Sequence, residues 1–166
     1  MSENSYDVII LGGGPGGYEF ALAAAKEGLS VALIEKDKLG GTCLNYGCIP
    51  TKAYYDFASL LTKFHNSLLK DYSINFNFLE LKKKKDQTVE NLQEGIAFSL
   101  KKSNVVVIKG EGKLIDQNTV LVNDIKYFGK YIVIATGAKA RVIPSFEEAL
   151  TSKEILELEI LPKRLT

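Results

Sequence analysis

A glycine-rich turn between two hydrophobic segments constrains this fold more than any other feature of the sequence. Residues 6–11 (Tyr-Asp-Val-Ile-Ile-Leu) predict a buried parallel strand, residues 16–26 predict a helix, and residues 29–34 predict a second strand. The turn between the first strand and the helix contains the pattern G-x-G-x-x-G, formed by Gly12, Gly14 and Gly17. This order of elements predicts a parallel strand–helix–strand unit and therefore an α/β fold.

The glycines of the turn suit the binding of a dinucleotide. Gly12 permits a tight turn, Gly14 lets the backbone approach a pyrophosphate, and Gly17 lets the helix pack closely on the strand. The helix N-terminus attracts phosphate charge. Glu35, at the end of the second strand, can accept hydrogen bonds from a ribose hydroxyl. A glycine triplet alone is weak evidence, but the spacing of all these parts favours dinucleotide binding, without distinguishing FAD from NAD.

The only two cysteines, Cys43 and Cys48, are five residues apart. In a regular α-helix such residues have Cα atoms roughly 8–9 Å apart, whereas a disulfide tolerates about 7 Å at most. The pair can therefore bond only if the intervening backbone is not regular helix. Gly47 permits a bend, and Pro50 suits the first turn of a helix. We therefore expect Cys48 at the start of a long helix and Cys43 in the turn before it.

This placement favours redox chemistry but leaves alternatives open. The positive end of a helix dipole favours a thiolate, and Lys52, one turn after Cys48, adds positive charge. From the residues alone, two unreacted core cysteines are as good an interpretation as a redox pair, whereas a purely structural disulfide is disfavoured in a cytosolic chain. A zinc site is disfavoured because the pair and the single histidine, His65, supply at most three ligands. His65 itself is expected to be a polar surface residue, and no metal site is expected.

Composition and charge exclude only a few classes of protein. The 166 residues are 46% hydrophobic and 25% charged, with a net charge of +1, as in one globular domain without special attraction to nucleic acid or anionic membranes. We find no apolar run of membrane-spanning length and no signal-peptide pattern, so the expected location is cytoplasmic. The lysine run 82–85 is expected to be solvated.

The remaining segments predict helices and then strands. Residues 53–104 predict two helices separated by a break within residues 66–77, the second running from about Leu79 to Lys102. An apolar stripe on the second helix comprises Leu81, Val89, Leu92, Ile96 and Leu100. Residues 105–108 predict a strand, residues 114–128 a small meander, and residues 131–135 a buried strand that ends at Thr136-Gly137.

The segment Gly40–Lys52 (GGTCLNYGCIPTK) resembles the active-site signature of the pyridine nucleotide–disulfide oxidoreductases, whose pattern is close to G-G-T-C-x-N-x-G-C-x-P-[ST]-K. Leu44, Ile49 and Thr51 are most similar to the residues of the dihydrolipoamide dehydrogenases. Tyr46 stands where those enzymes usually have a small apolar residue. The alternatives are a domain similar to those of glutathione or mercuric reductases, and a non-catalytic dinucleotide-binding module.

The resemblance implies roles for individual residues. Cys43 would be the interchange thiol, which forms a mixed disulfide with substrate, and Cys48 the charge-transfer thiol, which exchanges electrons with the flavin. Lys52 would stabilise negative charge on the reduced flavin ring. The FAD-binding set that the resemblance implies is Gly12, Gly14, Pro15, Gly17, Glu35, Lys36, Gly40, Gly41, Thr42, Lys52, Gly112, Ala135, Thr136 and Gly137.

The resemblance also implies a larger parent enzyme. Residues 1–144 would form an incomplete FAD/NAD(P)-binding domain, a Rossmann-like parallel sheet with helices and a small antiparallel β-meander. Residues 145–166 would connect it to an NAD-binding domain beyond this sequence, so the chain by itself is expected to lack turnover. The parent would be a homodimer that oxidises dihydrolipoamide through the cysteine pair and FAD, with NAD as acceptor. Its expected partner is a lipoyl-bearing acyltransferase of a 2-oxo acid dehydrogenase complex or the glycine cleavage system.

Overall fold

A computed structural model describes residues 4–67 and 74–165 of the chain. The helices and strands, in chain order, are β1 (Ser5–Leu11), α1 (Pro15–Lys26), β2 (Val31–Glu35), α2 (Gly41–Tyr46), α3 (Cys48–His65), α4 (Phe78–Lys102), β3 (Val106–Lys109), β4 (Lys113–Leu114), β5 (Thr119–Val122), β6 (Ile125–Ile134) and α5 (Ser152–Leu156). A short 3-10 helix, Pro144–Phe146, precedes α5. The described residues fall into two compact units: unit 1 comprises residues 4–41 and 92–139, and unit 2 comprises residues 42–67, 74–91 and 140–165.

Unit 1 is built on a six-stranded sheet with the strand order β3-β2-β1-β6-β5-β4. Strands β3, β2, β1 and the second half of β6 are parallel, whereas β4, β5 and the first half of β6 form an antiparallel meander. Ile10 lies level with Leu33 of β2 on one side and with Val133 of β6 on the other. This architecture confirms the α/β fold class and the parallel strand–helix–strand unit predicted for residues 6–35.

Two apolar clusters cover the sheet of unit 1. Because successive side chains of a strand point to opposite faces, Ile9 and Ile10 of β1 belong to different clusters, and both are fully buried. The Ile10 cluster includes Ala21 of α1, whose small side chain permits close packing, and Leu100 of α4. A central parallel strand covered on both faces requires a continuous apolar sequence, as in residues 8–11 of β1.

Strand β6 differs from the prediction, which divided it into a meander strand and a separate buried strand. It is one strand of ten residues. Its first part pairs with β5 as far as Phe128, and its second part pairs with β1. Beyond Phe128, β6 has only β1 beside it among the described strands, and Tyr131 and Ile134 are 70% and 66% exposed. The expectation of burial was therefore wrong for these two residues.

Unit 2 contains α2 from Thr42 onward, α3, the first part of α4, and α5. The two predicted long helices are confirmed, with α4 beginning at Phe78; residues 68–73 of the predicted break lie outside the described residues. Aromatic contacts are made by Tyr54 with Phe78, with ring centroids 5.9 Å apart, and by Phe57 with Phe76, at 5.2 Å. These contacts pack the apolar side of α3 against the start of α4 and the residues before it.

The lysine run on α4 corrects two expectations. Lys85 is only 2% exposed, so the run is not uniformly solvated. Lys85 lies four residues from both Leu81 and Val89, and therefore on the same helix face as these apolar residues. Conversely, Leu92 of the predicted apolar stripe is exposed.

Candidate dinucleotide loop and disulfide

The glycine-rich turn of unit 1 is shaped by close approaches of its backbone. Gly12 has a φ of +106°, and a Cβ there would overlap the Ala135 carbonyl oxygen at the end of β6. A Cβ at Gly17 would overlap the Gly12 carbonyl oxygen, because α1 starts directly against the turn. Both positions therefore exclude a side chain. The packing tasks expected of Gly12 and Gly17 are present, and their contact with a cofactor stays a prediction.

Glu35 at the end of β2 is hydrogen-bonded to this turn. Its Oε2 accepts a hydrogen bond from the Gly13 amide at 2.6 Å, and its Oε1 accepts one from the Asp37 amide at 2.7 Å. A carboxylate has about four lone-pair positions, so both oxygens retain acceptor capacity for a ribose hydroxyl. Sequence reasoning assigned no role to Gly13, although a Cβ there would lie 2.8 Å from Leu39 Cδ2. The uninterrupted run of three glycines was the available signal.

A second glycine pair packs against the first turn. Gly40 donates a backbone hydrogen bond to the Gly13 carbonyl oxygen at 2.8 Å. Gly40 and Gly41 have φ values of +94° and +62°, a region that favours glycine. A Cβ at Gly41 would lie 2.8 Å from Gly14 Cα and 3.2 Å from Pro15 Cδ. Two glycine-lined backbone segments therefore meet at the start of α1.

The N-terminus of α1 fits an anionic group. Its N-cap residue, Gly14, provides no side-chain hydrogen bond, and its first turn contains no acidic residue. The partial positive charge at the start of this twelve-residue helix is therefore not offset by a carboxylate in its own first turn. The diphosphate of a dinucleotide matches both the charge and the bare backbone.

The other residues predicted for unit 1 lie at the carboxyl ends of the parallel strands. The Ala135 amide donates to the Leu11 carbonyl oxygen at 2.8 Å, and Thr136 follows beside Gly12. A Cβ at Gly112 would meet Leu11 Cδ2 at 2.6 Å, which places this glycine at the same end of β1. In open α/β sheets, ligands bind at this edge. Gly137 follows Thr136 with a φ of +70°, and the exposed Lys36 directs its Nζ to Glu111 at 3.0 Å.

The cysteines of unit 2 form a disulfide across a break between two helices. Helix α2 ends at Tyr46 and α3 begins at Cys48, with Gly47 between them as the N-cap of α3. The Cα atoms of Cys43 and Cys48 are 4.7 Å apart, much closer than a regular helix allows. Cys48 lies where the sequence predicted. Cys43, expected in a turn, lies instead in α2, and a break of one residue is enough to let the sulfurs bond.

Gly47 and Pro50 determine the local geometry of the break. A Cβ at Gly47 would lie 3.0 Å from the Thr42 carbonyl oxygen and 3.3 Å from Cys43 Cα. The Thr51 amide donates to the Gly47 carbonyl oxygen at 3.0 Å, which starts α3, while Pro50 is buried in its first turn. Cys43 and Cys48 are both exposed, so a dithiol in solution can reach the bond.

The sequence analysis identified some of the polar residues near the disulfide and missed others. Thr42 and Lys52 are exposed, and Lys52 follows Cys48 by four residues on α3; their roles toward a flavin stay predictions. Asn45, which is 3% exposed inside the disulfide loop, was missed as a buried polar residue. The Lys153 Nζ lies 4.3 Å from the ring centroid of Tyr46, a contact for which the sequence offers no signal.

A charged cluster in unit 2 holds α5 against α4. We call it the α5 clamp; it consists of Lys82, Lys85, Asp86 and Glu157. The Lys85 Nζ donates to the Leu156 carbonyl oxygen at 3.2 Å and to Glu157 Oε1 at 2.9 Å. The Lys82 Nζ donates to Glu157 Oε2 at 3.0 Å. Burial alone would raise the pKa of Glu157, but the hydrogen bonds from Lys85 and Lys82, together with their positive charges, outweigh it and lower this pKa.

A cavity of about 340 Å³ lies in unit 1 at the amino end of β1, away from the glycine-rich turn. Asp7 at its wall accepts hydrogen bonds from the Lys130 Nζ at 2.6 Å and the Ser30 amide at 2.9 Å. The bond from Lys130 is the main reason that the Asp7 pKa lies below its ordinary value. These groups satisfy one another at the edge of the sheet opposite to the candidate dinucleotide site.

The described residues, 4–67 and 74–165, contain neither of two further kinds of site. No helix in these ranges is both long enough and apolar enough to cross a membrane. No group of three or more histidine, cysteine, aspartate or glutamate side chains in these ranges is arranged to hold a metal ion.

Comparison with known proteins gives a consistent result. The family model described as pyridine nucleotide-disulphide oxidoreductase matches residues 6–166. A dihydrolipoyl dehydrogenase of Acholeplasma laidlawii is 40% identical over 174 residues, which cover 96% of this chain and 51% of that protein. The Bacillus subtilis dihydrolipoyl dehydrogenase is 35% identical, covering 96% of this chain and 38% of that protein.

A solved structure matches the fold as well. The HOCl-induced flavoprotein disulfide reductase RclA from Escherichia coli superposes with a TM-score of 0.79 and 30% sequence identity. The match covers 95% of this chain and 35% of that chain. The chain thus spans about a third to a half of the length of the proteins it matches.

Proposed function

The chain belongs to the pyridine nucleotide-disulphide oxidoreductase family, and from this membership we propose that it is the FAD-binding part of a dihydrolipoamide dehydrogenase. The observation that carries the proposal is the disulfide between Cys43 and Cys48, formed across the one-residue break between α2 and α3. An exposed disulfide at a helix N-terminus is suited to thiol–disulfide exchange, because the thiolate released there is stabilised.

FAD would be held mainly by backbone. The start of α1, where Gly14 and Pro15 meet Gly41, would receive the diphosphate, and Glu35 would accept a hydrogen bond from the adenosine ribose. The other residues that we propose for FAD binding are Gly12, Gly17, Lys36, Gly40, Thr42, Lys52, Gly112, Ala135, Thr136 and Gly137. When bound, FAD would supply a two-electron acceptor for the reduced cysteines.

The cysteines would carry out two exchanges with a dithiol substrate. One substrate thiolate attacks the Cys43 sulfur, so the Cys43–Cys48 bond breaks and Cys48 leaves as a thiolate. The second substrate thiol then loses its proton and attacks the sulfur that is bonded to Cys43, which leaves a cyclic substrate disulfide and two reduced cysteines. Dihydrolipoamide has the required pair of thiols. The substrate's two electrons would then reside on the cysteines, from which a bound FAD could accept them; we propose NAD as the final acceptor in the longer parent.

The same relatives support a proposal for the partners and location of the parent enzyme. Dihydrolipoyl dehydrogenases match this chain at 35–40% identity. We therefore propose a homodimeric cytoplasmic parent that serves the lipoyl-bearing acyltransferase of a 2-oxo acid dehydrogenase complex or the glycine cleavage system. We propose that the parent enzyme turns over substrate and that this chain alone does not.

A flavin titration with visible spectroscopy tests the proposal. We expect FAD to bind more tightly than FMN, because only FAD has the diphosphate and adenosine that the glycine-rich turn and Glu35 would recognise. The wild type should develop a long-wavelength band on partial reduction. FAD-bound C43S should show this band before any reduction, because its Cys48 is already a free thiol, and C48S should show none. Equal binding of FAD and FMN, or a band that survives in C48S, would contradict the assignment. The same measurement on the longer parent shows whether any failure to bind FAD belongs to this chain alone.

A further inference from the structure

Tyr46 lies inside the loop closed by the disulfide and carries a positive charge against its ring. It is the last residue of α2, three residues after Cys43 and two before Cys48. The Lys153 Nζ lies 4.3 Å from its ring centroid. A lysine ammonium within about 6 Å of an aromatic centroid is attracted by the negative face of the ring. The disulfide loop thus has a cation attached to it that is contributed by a distant part of the chain.

The helix that supplies this cation is anchored at both ends. At its start, the Thr151 hydroxyl accepts a hydrogen bond from the Lys153 amide, and Glu154 bonds back to the Thr151 amide at 2.8 Å. At its end, the Leu156 carbonyl oxygen accepts a bond from the Lys85 Nζ, which is buried. Residues on both sides of Lys153 are therefore held, which defines the backbone position from which its side chain reaches Tyr46.

A fixed cation on this loop affects the two redox states differently. The disulfide is neutral, whereas its reduced form at neutral pH carries negative charge on whichever sulfur is held as thiolate. A nearby ammonium therefore stabilises the reduced form relative to the oxidised one. Reduction also removes the covalent S–S constraint on the loop. The Tyr46–Lys153 contact is a separate restraint on the loop, because Lys153 lies outside it.

We propose that Lys153, acting through Tyr46, is a positioning residue that makes the Cys43–Cys48 disulfide easier to reduce. This inference deepens the proposed function, because it concerns the step in which a dithiol transfers two electrons to the cysteines. In that step the S–S bond between Cys43 and Cys48 breaks, the dithiol closes to a cyclic disulfide, and its two protons pass to the cysteines or to water. Neither Lys153 nor Tyr46 forms a covalent bond.

A redox titration of the chain without flavin tests the inference. The protein is equilibrated with reduced and oxidised dithiothreitol at pH 7, and the reduced fraction is measured by trapping thiols with an alkylating agent and weighing the product by mass spectrometry. We expect K153M to lower the equilibrium constant for reduction about fivefold, which is about 20 mV at 29.6 mV per tenfold change. K153R and Y46F should stay close to wild type because both preserve the cation on the ring.

Two further variants separate this role from a merely structural one. Y46L should reproduce the loss seen in K153M, and the double variant K153M/Y46L should lose no more than either single variant. K63M is the matched control: it removes the same charge from α3, 15 residues beyond Cys48 and therefore about 22 Å along the helix. It should leave the equilibrium constant unchanged.

Several outcomes would overturn the inference. It is wrong if K153M equals wild type or K63M, if arginine fails to restore the constant, or if the losses from K153M and Y46L simply add. Urea unfolding of the oxidised variants checks that the fold is preserved in each. The titration uses no flavin, so a chain that shows these shifts but fails to bind FAD would contradict the proposed function and leave this inference standing. The reverse result would contradict only the inference.

Discussion

The glycine-rich turn of unit 1 and the α5 clamp of unit 2 achieve fixed geometry by opposite means. The turn is shaped by the absence of side chains, since Cβ atoms at Gly12 and Gly17 would overlap neighbouring carbonyl oxygens. The clamp is shaped by long side chains, since the Lys85 ammonium reaches a carboxylate and a carbonyl oxygen that follow it by more than 70 residues. The first depends on local sequence and the second on contacts between distant segments.

This difference predicts different responses to mutation. Adding one methyl group to the turn forces backbone atoms apart, and tightly packed backbone cannot relax cheaply. Removing a charge from the clamp leaves groups that water can partly reach, since the Glu157 side chain is 43% exposed. Unit 1 should therefore be intolerant of small additions, and unit 2 should lose stability in smaller steps that depend on charge.

The largest expected effect comes from G17A. A Cβ at position 17 would overlap the Gly12 carbonyl oxygen, so either α1 or the turn must move. We expect the free energy of unfolding to fall by about 3 kcal/mol, measured by urea denaturation.

The matched control for G17A is the neighbouring residue on the same helix. Nothing lies within 4 Å of a Cβ at Gly16, so G16A should be neutral or stabilising by up to about 1 kcal/mol. If the two variants unfold at similar urea concentrations, the turn is not shaped by steric contact and the contrast between the units fails.

A smaller effect is expected from K85M, which keeps most of the side-chain volume but removes the buried charge. Leaving one partner of a buried ion pair alone costs about 3–5 kcal/mol, and the partial exposure of Asp86 and Glu157 reduces the expected loss to about 2 kcal/mol. Hydrogen exchange should show lost protection at the α5 amides before global unfolding.

The control for K85M lies beside it. Lys84 is exposed, and K84M removes the same charge from the same helix, so its urea midpoint should stay close to wild type. Equal destabilisation by K84M and K85M would indicate that net charge on α4, and not the clamp, determines the loss.

The parts of the fold that sequence could predict were those with local causes. A continuous apolar run such as residues 8–11, followed at once by glycines, favours a covered strand, and the spacing of Gly12, Gly14 and Gly17 predicted the turn and the start of α1 to within a residue. Lys85 was misassigned because four consecutive lysines indicate a solvated face. Its burial depends on Leu156 and Glu157, which no short window around α4 contains.

In the candidate site, too, features with local causes could be predicted and contacts between distant segments could not. The backbone between the bonded cysteines was predicted not to be regular helix, because bond geometry excludes one, and the break at Gly47 confirms this. Assigning Cys43 to a turn was wrong because a single residue suffices to interrupt the helix. The Tyr46–Lys153 contact could not be foreseen, since it joins the disulfide loop to a helix more than 100 residues later.

The pH dependence of E157Q sharpens the account of the clamp. The Glu157 pKa is lowered in the folded chain, because the hydrogen bonds and positive charges of Lys85 and Lys82 together outweigh the opposing effect of burial. Its charged form therefore stabilises the fold above the ordinary pKa of 4.5, and this contribution is lost as the pH falls through the lower folded value.

At pH 7 we expect wild type to exceed E157Q in free energy of unfolding by about 1 kcal/mol, after allowance for the partial exposure of Glu157. Urea unfolding below pH 4.5 should show this difference shrinking toward zero. A difference that stays constant with pH would indicate that Glu157 acts through shape or neutral hydrogen bonds instead of charge.

The smallest effect is expected from E111Q, which provides a lysine–glutamate pair in unit 1 for comparison. The Lys36 Nζ lies 3.0 Å from Glu111 Oε1, almost the same as the 2.9 Å between Lys85 and Glu157. However, the Lys36 and Glu111 side chains are 57% and 63% exposed, whereas the Lys85 side chain is 1% exposed. Water and salt screen the exposed pair, so we expect no measurable change in the urea midpoint of E111Q, at low or high salt. If E111Q were as destabilising as E157Q at pH 7, then the distance between charges, and not their burial, would determine stability in this chain, and the comparison between the two units would have to be abandoned.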